Sequence, residues 1–156
     1  MKADMIERIR SELNQFGDPE ALIGKPATSD EIANAEKKLN ITFADQYIEF
    51  IKIFGGAFGG IAIAAFHNGS MIGNETVIDL TLSFRKAYGD YLGEKANDYY
   101  MISDDGSGNP ILMNTQGNVF LYLHEEGELE LIYNSLEDLW NQSFPEKNPV
   151  PEEPEL

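Results

Sequence analysis

The sequence predicts an α+β domain in which N-terminal helices pack on a mostly antiparallel β-meander and a helix closes the C-terminus. Three observations predict it. Apolar residues recur at three- and four-residue steps between Met5 and Phe54. Four short apolar runs then follow between Tyr99 and Tyr133 at roughly ten-residue spacing, with Gly or Asn at every turn. A last helical stripe, Leu136, Leu139 and Trp140, comes after them. Helices first, then a run of strands, is the order of an α+β fold.

Met5, Ile6, Ile9, Leu13 and Phe16 place a first amphipathic helix over 2–16, ending at Gly17. Asp18 to Pro26 reads as a linking loop. Thr28 with Glu31 three residues on forms a capping box, and Ile32, Ala35 and Leu39 then fall on one stripe of a three-turn helix. A second helix follows after a tight connection, with Tyr47, Phe50, Ile51 and Phe54 inward. Gly55 and Gly56 supply its positive-φ stop. The run from Gly55 to Gly60 is a turn into Ile61–Phe66, whose small apolar residues suit a buried strand. Asn68-Gly-Ser marks a turn. Val77 to Tyr91 reads as a helix with Leu80, Leu82, Phe84, Ala87, Tyr88 and Tyr91 as its apolar set.

The meander strands are expected at 99–103, 110–114, 119–124 and 129–133, and Ser135 caps a helix over Leu136–Phe144. Residues 1–145 read as one domain. The stretch 146–156 is an acidic Pro/Glu-rich tail, expected to be disordered because it has too little apolar surface to bury.

The spacing Ile32, Glu36, Leu39, Phe43-Ala44, Tyr47, Phe50-Ile51, Phe54-Gly55-Gly56 resembles the signature of the SMI1/KNR4 family, also called the SUKH superfamily. Three positions depart from it. Asn40 stands where the family carries Gly, Phe43-Ala44 where it carries Leu-Pro, and Phe54 where it carries Asn. The Asp104–Asn109 turn and the run from Asn118 to Glu125 stand where the family's strand block would follow, so the resemblance spans roughly 25–142. It implies a SMI1/KNR4-like α+β fold. It implies, for a bacterial member, an immunity protein that neutralises a polymorphic or contact-delivered toxin. The alternative it implies is a regulatory protein-interaction scaffold related to cell-wall synthesis regulators.

Charge sharpens the choice of partner. The chain carries 27 acidic and 11 basic residues, a net of −16. Residues 1–95 have 14 acidic and 10 basic groups; residues 96–156 have 13 acidic and one basic, Lys147. Phosphate binding needs the opposite sign, which disfavours nucleic acid. A negative field raises encounter with a basic protein partner instead. Asp104, Asp105, Glu125, Glu126, Glu128, Glu130, Glu137 and Asp138 dominate the basic-free stretch and are the candidate partner-binding residues. A basic nuclease toxin is the natural complement.

No residue pattern points to catalysis, and none to a cofactor. The Asp104–Asn109 turn fails the calcium-loop test, because the third position is Gly106 and the twelfth Thr115. His67 and His124 lack metal-ligand spacing. Zero cysteines exclude thiolate chemistry and disulfides. The expectation is a non-enzyme. A small enzyme or ligand-binding domain using a cleft beneath Gly55–Gly60 is the third reading. With no signal-peptide apolar region and no long apolar run, the expected location is the cytoplasm, without membrane contact. Inside the signature, Glu36 is expected to hydrogen-bond the start of the next helix, around Thr42–Asp45.

Overall fold

A computed structural model describes residues 3–143. The expected 146–156 tail, the Phe144 end of the last helix and the Phe16 side chain lie outside the described residues. In chain order the elements are α1 (Ala3–Phe16), α2 (Pro19–Leu22), α3 (Ser29–Leu39), α4 (Asp45–Phe54), β1 (Ala57–Phe58), β2 (Ala62–Ile63) and α5 (Val77–Leu92). A 3₁₀ segment, Gly93–Asp98, leads into β3 (Tyr100–Asp104), β4 (Pro110–Met113), β5 (Val119–Leu123), β6 (Glu128–Tyr133) and α6 (Leu136–Ser143). Strands β3–β6 form an antiparallel sheet in sequence order, as the meander predicts.

The sheet is covered on both faces, which the register explains. Tyr100, Met113 and Val119 stand side by side across β3, β4 and β5, and all join the main core with Ile9, Tyr47 and Trp140. Met101, Leu112 and Phe120 stand side by side on the other face, and pack with Phe84 and Tyr88 of α5. Strand β4, central and covered twice, is buried at all four residues. Tyr47, Phe50 and Trp140 are fully buried, and each such side chain contributes about 1.5–3 kcal/mol by leaving water.

Thr28 caps α3 as its spacing predicts: its side chain accepts from the Glu31 amide, and Glu31 reaches back to the Thr28 amide at 3.0 Å. Asn40, at φ 53°, occupies the left-handed position that closes α3. Gly55 ends α4 at φ 63°, whereas Gly56 is not in the positive-φ region. Gly56 is needed for close approach instead, since a Cβ there would lie 1.9 Å from Asn68 Oδ1.

Three local expectations change. The strand expected over Ile61–Phe66 shrinks to β2, paired with β1 in a two-residue hairpin. Asn68 Oδ1 takes the Ala65 amide at 2.8 Å and the Ala64 amide crosses to the Ile102 carbonyl, so the ladder cannot continue. The Asp18–Pro26 loop contains α2, capped by Asp18 with Pro19 in its first turn. In α5 the buried stripe is Val77, Thr81 and Phe84, while Leu82 and Tyr91 are exposed at 43% and 80%. The sheet takes the stripe that includes Thr81 because Thr81 Oγ1 accepts the Met101 amide at 3.0 Å.

Candidate protein-interaction face

The meander's direction decides which acidic groups meet. The β3–β4 turn (104–109) and the β5–β6 turn (124–127) lie at one end of the sheet, and side chains join them. Asp105 Oδ1 accepts from the Ser107 and Asn109 amides at 2.8 and 3.1 Å, and its Oδ2 accepts from Asn109 Nδ2 at 2.8 Å. Asn109 Oδ1 in turn accepts from the His124 amide at 3.1 Å and lies 2.6 Å from His124 Nδ1. An amide oxygen only accepts, so Nδ1 carries the proton. Hydrogen bonding from the Asn109 side chain, with backbone amides behind it, holds the Asp105 carboxyl below its usual range. It remains ionised at neutral pH.

Asp104, Asp105, Glu125 and Glu126 thus share one exposed rim, with Glu128 opening β6 beside them. Glu130 lies farther along β6, opposite Leu121. Glu137 and Asp138 do not join this group. They open α6 at the other end of the sheet, where the Glu137 amide donates to Gln46 Oε1 and the Asp138 amide to Ser135 Oγ. Ser135 and Gln46 line a hollow with Thr115–Gly117, the turn at that opposite end. The eight candidates therefore form a cluster at one end, one residue midway along the edge and a pair at the far end.

Beside the acidic rim the structure places a groove that the sequence reading approached only as a cleft beneath Gly55–Gly60. It has a volume of about 560 Å³ and a floor of Ile102, Ile111, Leu121 and Ile132, walled by Phe58 and Ile61 of the β1–β2 hairpin. Glu75, Asp104 and Asp105 also line it, and no Lys or Arg does. The apolar floor arises because Ile111 and Leu121 lie on the same face as Met113 and Val119 but nearer the β3–β4 turn, beside the β1–β2 hairpin. In sequence these isoleucines and leucines read as ordinary core, so nothing marked the groove. Among the described residues, no group of three His, Cys, Asp or Glu side chains is placed to hold a metal ion. No described helix is long and apolar enough to cross a membrane.

The signature residues serve the scaffold. Ile32, Leu39, Tyr47 and Phe50 are buried. Glu36 Oε2 accepts from the Phe43 amide at 2.9 Å, the bridge expected between α3 and the start of α4. Tyr47 donates to the Ala64 carbonyl at 2.5 Å, and Tyr100 accepts from the Ala44 amide at 3.0 Å. Burial raises both phenols above their ordinary value, so both stay protonated. Residues 26–142 match the SMI1 / KNR4 family (SUKH-1). The chain belongs to that family. No curated protein matches it. Membership is consistent with an immunity-type or interaction protein, since SUKH domains generally interact with proteins. Within this SMI1/KNR4 domain the signature holds α3, α4 and the strands together, while Asp104, Asp105, Glu125, Glu126, Glu128 and Glu130 lie on the sheet's turns and edge.

Proposed function

We propose that this SMI1/KNR4 domain is a cytosolic immunity protein that neutralises a cognate, contact-delivered toxin by stoichiometric masking, without catalysis of its own. One observation carries the reading. Asp104, Asp105, Glu125 and Glu126 converge on a rim within a stretch, 96–146, that has no Lys or Arg. A nuclease must bind a polyanion, so its substrate surface is basic, and an acidic rim beside an apolar groove complements such a surface in charge. Covering that surface blocks the substrate with no chemistry required. The charge would steer encounter, and the apolar contacts would hold the complex.

The test is to sequence the genes flanking this one and to co-express the chain with any basic toxin domain that they encode. The expected outcome is restored growth and a 1:1 complex on size-exclusion chromatography. Association should slow by about tenfold or more as salt rises from roughly 0.05 to 0.5 M. A toxin that kills equally with and without the chain, and forms no complex with it, overturns the proposal. Salt-insensitive association of an intact complex overturns the electrostatic part alone.

A further inference from the structure

The two edges of the meander are in different states. At the β3 edge, the Met101 amide donates to Thr81 Oγ1 of α5 and the Ile102 carbonyl accepts from the Ala64 amide. Those backbone groups are occupied from outside the sheet. Strand β6 is the opposite edge. Among the described residues, no hydrogen bond from outside the sheet reaches Glu128–Tyr133. An edge strand of this length carries N–H and C=O groups that point away from its neighbour at every second residue.

The two faces of β6 differ in kind. Glu130 pairs with Leu121 and Glu128 with Leu123, so both glutamates lie on the groove side of the sheet. Leu129 pairs with Tyr122 and Leu131 with Phe120, so both leucines lie on the α5 side. Glu128, Glu130 and Leu131 are all exposed, Leu131 by 56%. The free edge is therefore amphipathic, acidic on one face and apolar on the other.

We propose that β6 is a docking edge that pairs with an extended segment of a partner protein in which Lys or Arg alternates with apolar residues. This deepens the toxin-masking reading and rests on it for the partner's basic character. Strand addition supplies backbone hydrogen bonds, and the alternation supplies specificity. In register, the partner's basic side chains would stand about 5 Å from Glu128 and Glu130, and its apolar ones would cover Leu131. A second copy fits poorly. Antiparallel pairing of two β6 strands centred on Leu129 sets Glu128 against Glu130, and pairing centred on Glu130 sets that residue against its own copy, in chains that each carry −16. The charges that bar self-pairing are the ones that admit a basic strand.

The probe is a synthetic capped peptide of alternating Lys and Val, compared with the same peptide N-methylated at every backbone amide. Methylation keeps the charges and side chains but removes all backbone donors. The full chain is titrated by NMR, with amide hydrogen exchange followed over residues 128–133. The unmodified peptide is expected to slow the exchange of outward β6 amides by about tenfold, and the methylated one to bind about tenfold more weakly. Glu130→Lys should weaken the unmodified peptide by at least about threefold at a melting temperature no lower than that of the wild type. Equal binding of the two peptides, protection outside 128–133, or no binding at about 1 mM would each overturn the inference. So would sedimentation showing a dimer that Glu130→Lys alters. None of these results depends on the co-expression assay, so protection from the toxin without β6 pairing would sink the docking edge alone.

Discussion

Glu36 is the polar residue on which the family signature turns, and its work is internal. Its Oε2 accepts the Phe43 amide at 2.9 Å across the α3–α4 connection. Glu36→Ala leaves that part-buried N–H without its acceptor and is expected to cost about 1–3 kcal/mol in urea denaturation. Glu36→Gln keeps an acceptor oxygen and should cost less. Full stability in Glu36→Ala with lost binding to a protein partner would move Glu36 to the interface instead. This contact was legible because helix spacing placed Glu36 near the inward stripe and the next helix start close behind it. The Thr28–Glu31 capping box was legible for the same reason, being local. Asn68 was not. Its side chain accepts from Ala65 and donates to the Gly73 and Glu75 carbonyls, contacts set by a loop with no periodic pattern. Arg85 was equally hidden, since it donates to the Leu39 carbonyl across 46 positions of sequence.

At the scale of elements, the four meander strands were readable because Gly or Asn punctuates each turn and the apolar runs match strand length. The faces of α5 were not, because a helix with apolar residues on several sides leaves the choice to its partner, and the sheet took the stripe with Thr81. The start of α4 shows how a departure from the family pattern is accommodated. Ala44 stands where the family carries Pro, at φ −65° and ψ 148°, a backbone that Pro would suit. Yet its amide donates to the buried Tyr100 hydroxyl at 3.0 Å. Ala44→Pro would gain about 0.4–1 kcal/mol from a stiffer unfolded chain. Against this it would lose a hydrogen bond of about 0.5–1.5 kcal/mol and press its ring toward the Tyr100 hydroxyl. A net destabilisation of about 1 kcal/mol is expected by thermal or urea unfolding. Adding Tyr100→Phe removes the hydroxyl, so the double variant should be more stable than Ala44→Pro alone. Independent, additive effects of the two changes would show that the Ala44–Tyr100 contact does not set the choice of residue at 44.

At the scale of the whole molecule the question is what a net charge of −16 does. The surplus was visible in the sequence. Its division was not, because only the direction of the meander sends Asp104, Asp105, Glu125 and Glu126 to one end and Glu137 and Asp138 to the other. Two accounts of the charge compete, solubility alone or partner steering, and they predict different responses. Self-repulsion destabilises the compact state, so raising NaCl from about 0.02 to 0.3 M should raise the melting temperature by a few degrees under either account. Replacing Glu125 and Glu126 with Lys should do likewise, since both are exposed in a turn. Only steering predicts the second half of the experiment. There the same salt increase and the same substitutions slow association with a basic protein partner, so that stability and binding move in opposite directions. A more stable variant that binds at the wild-type rate would leave solubility as the sole role of those glutamates. A more stable variant that binds about tenfold more slowly would assign the rim to the partner.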